Sequence, residues 1–164
     1  MSAKAVIKVL ADLIKLHQVL NEIAVEKTEI VKKGEMPALD LLIKKEVALI
    51  QQLRKLEENR MLVVEQFFTD KGLVTEDVTM DQLIEHAPKD EQSLLLKLYR
   101  ALLSEIDTLK KNNELNQQLI EDSLRFVNLS LDLLTPEPDD VNYQRPTKSN
   151  NDTVASRSIF DSKA

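Results

Sequence analysis

The sequence predicts an all-α protein: three long antiparallel helices forming an elongated coiled-coil-like bundle, one short connecting helix, and a disordered C-terminal tail. Three observations carry this reading. Apolar residues recur at alternating spacings of three and four over long runs, the period of one helical face. Both glycines (Gly34, Gly72) and all five prolines (Pro37, Pro88, Pro136, Pro138, Pro146) fall between or outside those runs, where they disturb a helix least. Aromatic residues make up 4% of the chain, against 43% hydrophobic and 30% charged. A composition rich in Leu, Lys, Glu and Gln and poor in Gly belongs to long helices rather than sheets. The expected division is a helical domain over residues 1–135 and a tail over 136–164.

The first helix is expected from about Ala3 to Lys32, with Val6, Val9, Leu10, Leu13, Leu16, Leu20 and Ala24 as its stripe. His17 lies at the stripe's edge. With no second candidate group nearby, it reads as a seam histidine rather than a ligand or proton carrier. Gly34 and Pro37 turn the chain, and the second helix spans about Ala38 to Thr69. Glu46, Glu57 and Arg60 intrude on its apolar side. Glu57 and Arg60 are three apart and can pair along the helix. They read as a register-fixing polar pair at a helix interface rather than as catalytic groups.

Thr79 and Gln82 have capping-box spacing ahead of Leu83 and Ile84, which marks the short connecting helix. His86, beside Pro88, is expected to face solvent, and Asp90 to cap the third long helix, which runs to about Leu134. That helix carries Leu95, Leu98, Leu102, Ile106 and Leu109, then Ile120, Leu124, Val127, Leu131 and Leu134, on one face. The two members missing from the series are Asn113 and Asn116. Asn113 falls near Glu46 in antiparallel register with the second helix and near Ala24 in parallel register with the first, and these residues with Asn116 read as a polar layer that costs stability but fixes register.

At 1.5 Å per residue the first two helices are roughly 45 Å long and the third roughly 65 Å. Folded back along the second helix, the third overhangs the pair from about Asp122 to Leu134. Toward that end a second apolar face appears, made of Leu115, Leu119, Phe126, Leu129 and Leu133. A helix apolar on two sides needs cover on both, and an exposed patch of this kind marks an interaction surface. The candidate partner-binding residues are therefore Leu115, Leu119, Ile120, Leu124, Phe126, Val127, Leu129 and Leu133. The competing reading is a coiled-coil adaptor that uses the same face for self-association.

The net charge of −6 argues against a nucleic-acid phosphate binder. There is no cysteine, so no thiolate nucleophile or cysteine metal cluster is possible. Lys4, Lys8, Asp12 and Lys15 interrupt every apolar run that could begin a signal peptide, and no stretch suits a membrane span. No glycine-rich phosphate loop, HExxH or catalytic triad spacing is present. The expectation is a soluble protein that is not an enzyme and needs no cofactor or metal.

Over about Leu10 to Leu134 the chain resembles the FlgN family of flagellar type III export chaperones. The likeness rests on the helical layout, on Leu53-x-x-Leu56-Glu57-x-x-Arg60, and on Asn112-Asn113-x-x-Asn116-x-x-Leu119-Ile120. The closing RSIFDSKA also resembles the ends of family members from Gram-positive flagellated bacteria. The resemblance implies a cytoplasmic chaperone for hook-filament junction proteins. It implies that their C-terminal helices bind the chaperone's own C-terminal region, and that the complex docks at the export gate and passes through the export ATPase complex. It also implies a tail tyrosine in gate docking, and Tyr143 is the tail's only tyrosine. Val141, Ile159 and Phe160 are the other apolar points singled out there.

Overall fold

The computed structural model describes residues 2–74 and 76–135, and the expected tail at 136–164, with Val141, Tyr143, Ile159 and Phe160, lies outside the described residues. Four helices fill the described chain: α1 Lys4–Lys33, α2 Met36–Asp70, α3 Met80–His86 and α4 Lys89–Leu134. Their order and extents follow the periodicity, and consecutive long helices run antiparallel, so α1 and α4 run parallel.

α1 is the shared partner. It packs along both α2 and α4, while α3 packs on α4. α4 runs back antiparallel to α2, as expected, and its long packing contact is the parallel one with α1. The reason lies in the faces. α1 is buried on two sides, through Val6, Val9, Leu10, Leu13, Leu16, Leu20, Ile23, Ala24, Ile30 and Val31, whereas α2 buries only Leu42, Phe67 and Phe68. A helix apolar around much of its circumference takes the central place.

The turns are made by local rules. Gly34 adopts φ 71°, a left-handed conformation in which a Cβ is strained. Its N–H bonds the Val31 carbonyl at 3.2 Å, and the Glu35 N–H bonds the Ile30 carbonyl at 3.3 Å. That pair of bonds is the Schellman pattern that closes a helix. Pro37 then sits in the first turn of α2, where its missing N–H costs nothing. The capping box of α3 forms as its spacing predicts, with Gln82 N–H to Thr79 Oγ1 at 3.3 Å and Thr79 N–H to Gln82 Oε1 at 3.1 Å. His86 is half-buried rather than solvent-facing. Its ring lies 6.0 Å from that of Phe68, and Nδ1 donates to the Gln82 carbonyl at 2.8 Å.

Asp90 does not cap α4, which begins one residue earlier behind Pro88 with no side-chain cap. The neighbouring Glu91 does something more useful. One carboxylate oxygen accepts from the Ala3 N–H at 2.6 Å and the other from the Ser2 hydroxyl at 2.6 Å. α4 thus supplies the N-terminal cap that α1 lacks in its own sequence. The hydrogen bond from Ser2, then that from Ala3, holds the Glu91 carboxyl below its ordinary 4.5.

The main core gathers at the α3 end: Ala3, Val6, Leu10 and Leu13 meet Phe67, Phe68, Leu83, Ala87, Leu95 and Leu102. Phe67 and Phe68 pack edge to face at 5.5 Å. A smaller cluster of Ile23, Ile30 and Leu42 joins α1 to α2 near their turn. The core therefore thins toward the Gly34 end.

Leu95, fully enclosed, should lose about 2–5 kcal/mol of stability as Leu95→Ala, the range for a large-to-small core change. Leu129→Ala, at a 60% exposed position, should change urea-unfolding stability by less than about 0.5 kcal/mol. The Glu91 clamp predicts an acid effect of definite sign. A depressed carboxylate pKa stabilises the fold above the unfolded value, and that contribution disappears as pH falls through the folded one. Helical carbon shifts of Ala5 and Val6 should drift toward coil as pH falls below 4.5. In Glu91→Gln that drift should be absent.

Candidate functional site

The site is built by two parallel helices of unequal length. Three contacts keep them in step. Glu91 holds the start of α1. Asn21 Nδ2 donates to the Glu105 carbonyl at 3.0 Å and its carboxylate at 2.8 Å. Near the top, Asn116 is buried, donating to the Ala24 carbonyl at 2.8 Å and accepting from the Thr28 hydroxyl at 2.5 Å. The offset between partners is nearly constant, so the end of α1 at Lys33 falls opposite about Glu121. α4 continues for a further three to four turns.

Of the two asparagines expected in a polar layer, only Asn116 enters it; Asn113 is exposed. Glu46 is not part of that layer either. It pairs with Lys27 at 2.6 Å in the α1–α2 seam, with both side chains mostly buried. Glu57 and Arg60 pair at 2.8 Å within α2 and are more than one-third exposed on average. They line an apolar hollow of about 280 Å³ between α2 and α4, floored by Val6 and Leu10. The pair therefore borders a groove instead of bridging two helices. Sequence reading missed Asn21, Thr28 and Lys27. The usable signal was the polar series His17, Asn21, Thr28 at helical spacing on the α1 stripe. His17 is buried there, with Nδ1 donating to the Leu13 carbonyl at 2.8 Å.

Beyond Asn116 the cover ends. Leu119 and Ile120 are half-buried, and from Glu121 to Leu134 every residue is exposed except half-buried Ser130. Leu124 is 58%, Phe126 71% and Leu133 79% exposed. Leu115, Val127 and Leu129 are exposed too. The eight residues expected to bind a partner thus form one continuous segment, with its root in the bundle and its tip free of it. The described helix ends at Leu134 ahead of Pro136, because the residue before a proline disfavours helical geometry.

A second wall was not legible in the sequence. Val31, Met36 and Leu39, from the α1–α2 turn, face Ile120, Leu124 and Val127 across an apolar groove of about 380 Å³. This groove puts one face of the overhang opposite an apolar surface. The other face, carrying Phe126, Leu129 and Leu133, has no such wall. The few polar groups nearby pair locally, as Arg125 does with Asp122 at 2.7 Å. What this arrangement can do chemically is bury another apolar helix side. Among the described residues no group of three or more side chains is placed to hold a metal ion, and no helix is long and apolar enough to cross a membrane.

Asn116→Ala should cost about 1–3 kcal/mol, since it removes two buried hydrogen bonds. Asn113→Ala, on the exposed side, should stay within about 0.5 kcal/mol of the parent. Chemical denaturation of the two variants separates these outcomes.

The chain is similar along its whole length to a relative from Bacillus subtilis (strain 168) called uncharacterized protein YvyG. The two are 34% identical over 164 residues, which is 100% of each chain. No solved structure matches. A family model described as FlgN protein matches residues 1–151, nearly the whole chain. The central helix, the polar layer and the projecting two-faced end are thus the parts of a protein that belongs to the FlgN family.

Proposed function

We propose that this chain is a cytoplasmic flagellar export chaperone that shelters the C-terminal helices of hook-filament junction proteins on its projecting α4 end and delivers them to the export gate. FlgN family membership suggests the flagellar export chaperone role. The single observation that supports the placement of the site is the run of exposed apolar residues from Leu124 to Leu134 on a helix that has outlasted its partners.

A free amphipathic helix is prone to aggregate. One side of it can enter the groove between Leu39 and Leu124, in the helix-in-groove mode read as i, i+3, i+4, i+7 anchors. A second client segment, or the other side of the same one, can lie on Phe126, Leu129 and Leu133. Burying four such side chains contributes roughly 6–12 kcal/mol gross. Association costs of roughly 4–15 kcal/mol offset most of that. The balance favours moderate affinity and reversible release, which a delivery chaperone requires. Release needs no nucleotide site on this chain. The loaded chaperone then meets the gate, and the emptied one passes to the export ATPase complex.

Purified chain and each junction protein provide the test in a pull-down. Phe126→Glu combined with Leu129→Glu should reduce retained client at least about tenfold, equivalent to 1.4 kcal/mol, with helicity unchanged. Full retention by that variant would remove the overhang as the client site. Light scattering on the parent chain checks the competing adaptor reading, for which a stable tetramer at low micromolar concentration is the signature.

A further inference from the structure

The groove at the root of the overhang does not stop there. α2 and α4 both pack along α1 and barely touch each other, so an open channel runs between them with α1 as its floor. At the α3 end it deepens into the hollow walled by Glu57 and Val64 on one side and by Tyr99, Leu103 and Ile106 on the other. At the turn end it becomes the groove of Leu39 against Ile120 and Leu124. We propose that this channel seats the client helix along its whole length. One helix then lies from the overhang down to the Glu57–Arg60 pair, held in register by an uncharged amide near its middle. This reading rests on the proposed function and extends its site from the overhang into the bundle.

Helical spacing joins the two ends. On α2, Leu39 and Glu57 line opposite ends of the channel. Ile43 and Ile50 lie between them at steps of four and seven, which keeps them on the same face. Both are exposed, at 41% and 37%. With Met36 they give α2 a second apolar side that no other described element covers. On α4, the steps of three and four that lead from Ile106 to Ile120 pass through Lys110, Asn113 and Gln117. These three border an open polar hollow of about 470 Å³. The channel is therefore apolar at both ends, with one polar wall between them. Asn113, exposed and outside the layer that Asn116 forms with α1, takes its place in that wall.

The chain itself shows what the channel accepts. α3 lies at its closed end, packed on α4, with Leu83 fully buried and Met80 lining the hollow. This 7-residue helix fills the place of a fourth helix, and beyond it that place is open. From Tyr99 to Leu124 the open length is about 38 Å, or about 25 residues of helix. A client helix apolar along one side covers Ile43, Ile50 and Leu103 in the helix-in-groove mode. Asn113, Gln117 and Gln118 each offer a donor and an acceptor. Lys110 and Glu114 beside them have opposite charges, so neither sign of charge is favoured and the matching group on the client is an uncharged amide. One covered amide contact in an otherwise apolar seam fixes register. A second copy of the chain is the poorer occupant, because its unpartnered helix end is only about 20 Å long and would fill about half of the channel.

The full-length chain and the C-terminal segment of each junction protein provide the test. Added client should shift the methyl signals of Ile43, Ile50 and Ile106 together with those of Leu124 and Val127, and leave those of Leu62, on the outer side of α2, in place. Ile50→Glu combined with Leu103→Glu, about 30 Å from Leu124 along α4, should reduce retained client about tenfold with helicity unchanged. Leu62→Glu, at a 64% exposed position, should retain client fully. The methyl shifts need no substitution, so they decide the matter even if the double variant loses helicity. Shifts confined to Leu124 and Val127 would overturn the proposal and leave the overhang as the client site. Full retention by a folded double variant would overturn it as well. A parent chain that retains neither junction protein removes the chaperone reading and this one with it, an outcome distinct from failure of the channel alone. Movement of the Ile50 and Ile106 signals on dilution of the chain without client would assign the channel to a second copy, and the proposal would fall.

Discussion

The structure depends on the parallel pairing of α1 and α4. Parallel neighbours cannot be joined by a short turn, so the pairing is made by contacts far apart in the chain. Glu91 fastens the bottom by capping α1 through Ser2 and Ala3. Asn116 fastens the top through Ala24 and Thr28. Side-by-side parallel helices also bring two positive helix ends together, and the acidic first turn of α4, Asp90 and Glu91, offsets that charge. With both ends tied, α4 cannot slide, and the length left over is fixed.

That surplus is what makes the molecule more than a bundle. Near the α3 end the packing is dense and apolar, from Leu13 and Leu95 to Phe68 and Leu83. Going up α1, the seam with α4 turns polar at His17, Asn21 and Thr28. Asn21 keeps one carbonyl oxygen buried and without a hydrogen-bond partner among the described residues, at a cost of about 1–3 kcal/mol. Buried apolar packing is therefore concentrated at one end of the rod and exposed apolar surface at the other. Regions with few buried contacts open most easily, so the α4 end is the part best suited to reshape around a partner.

The polar layer explains why the apolar run of α4 does not collapse onto α1 in another register. A one-turn shift would move Asn116 away from Ala24 and Thr28 and bury an amide without partners. Leu-rich seams alone discriminate poorly between registers, and a single buried polar group at the interface restores the discrimination. The same device marks the upper limit of the scaffold. Below Asn116 α4 has one buried face; above it the helix has two exposed apolar faces and a groove against Met36 and Leu39.

By itself the sequence determined the class, the four helices, the turns at Gly34 and Thr79, and the overhang from about Asp122, because periodicity and helix rise are local properties of the chain. The two-faced end was legible for the same reason. Tertiary structure decided the rest. Which helix α4 lies along, and which asparagine faces in, depend on the angle at which two distant faces meet. Asn113 and Asn116 both fall on the predicted stripe, but only Asn116 lies on its α1-facing side. Glu46 needed Lys27 from another helix, and the cap of α1 needed Glu91 from the far side of the chain. The second wall of the groove came from a turn whose residues look ordinary in sequence. Side chains brought together from separate helices leave no periodic trace, and only the packing of α1 between its two partners shows them.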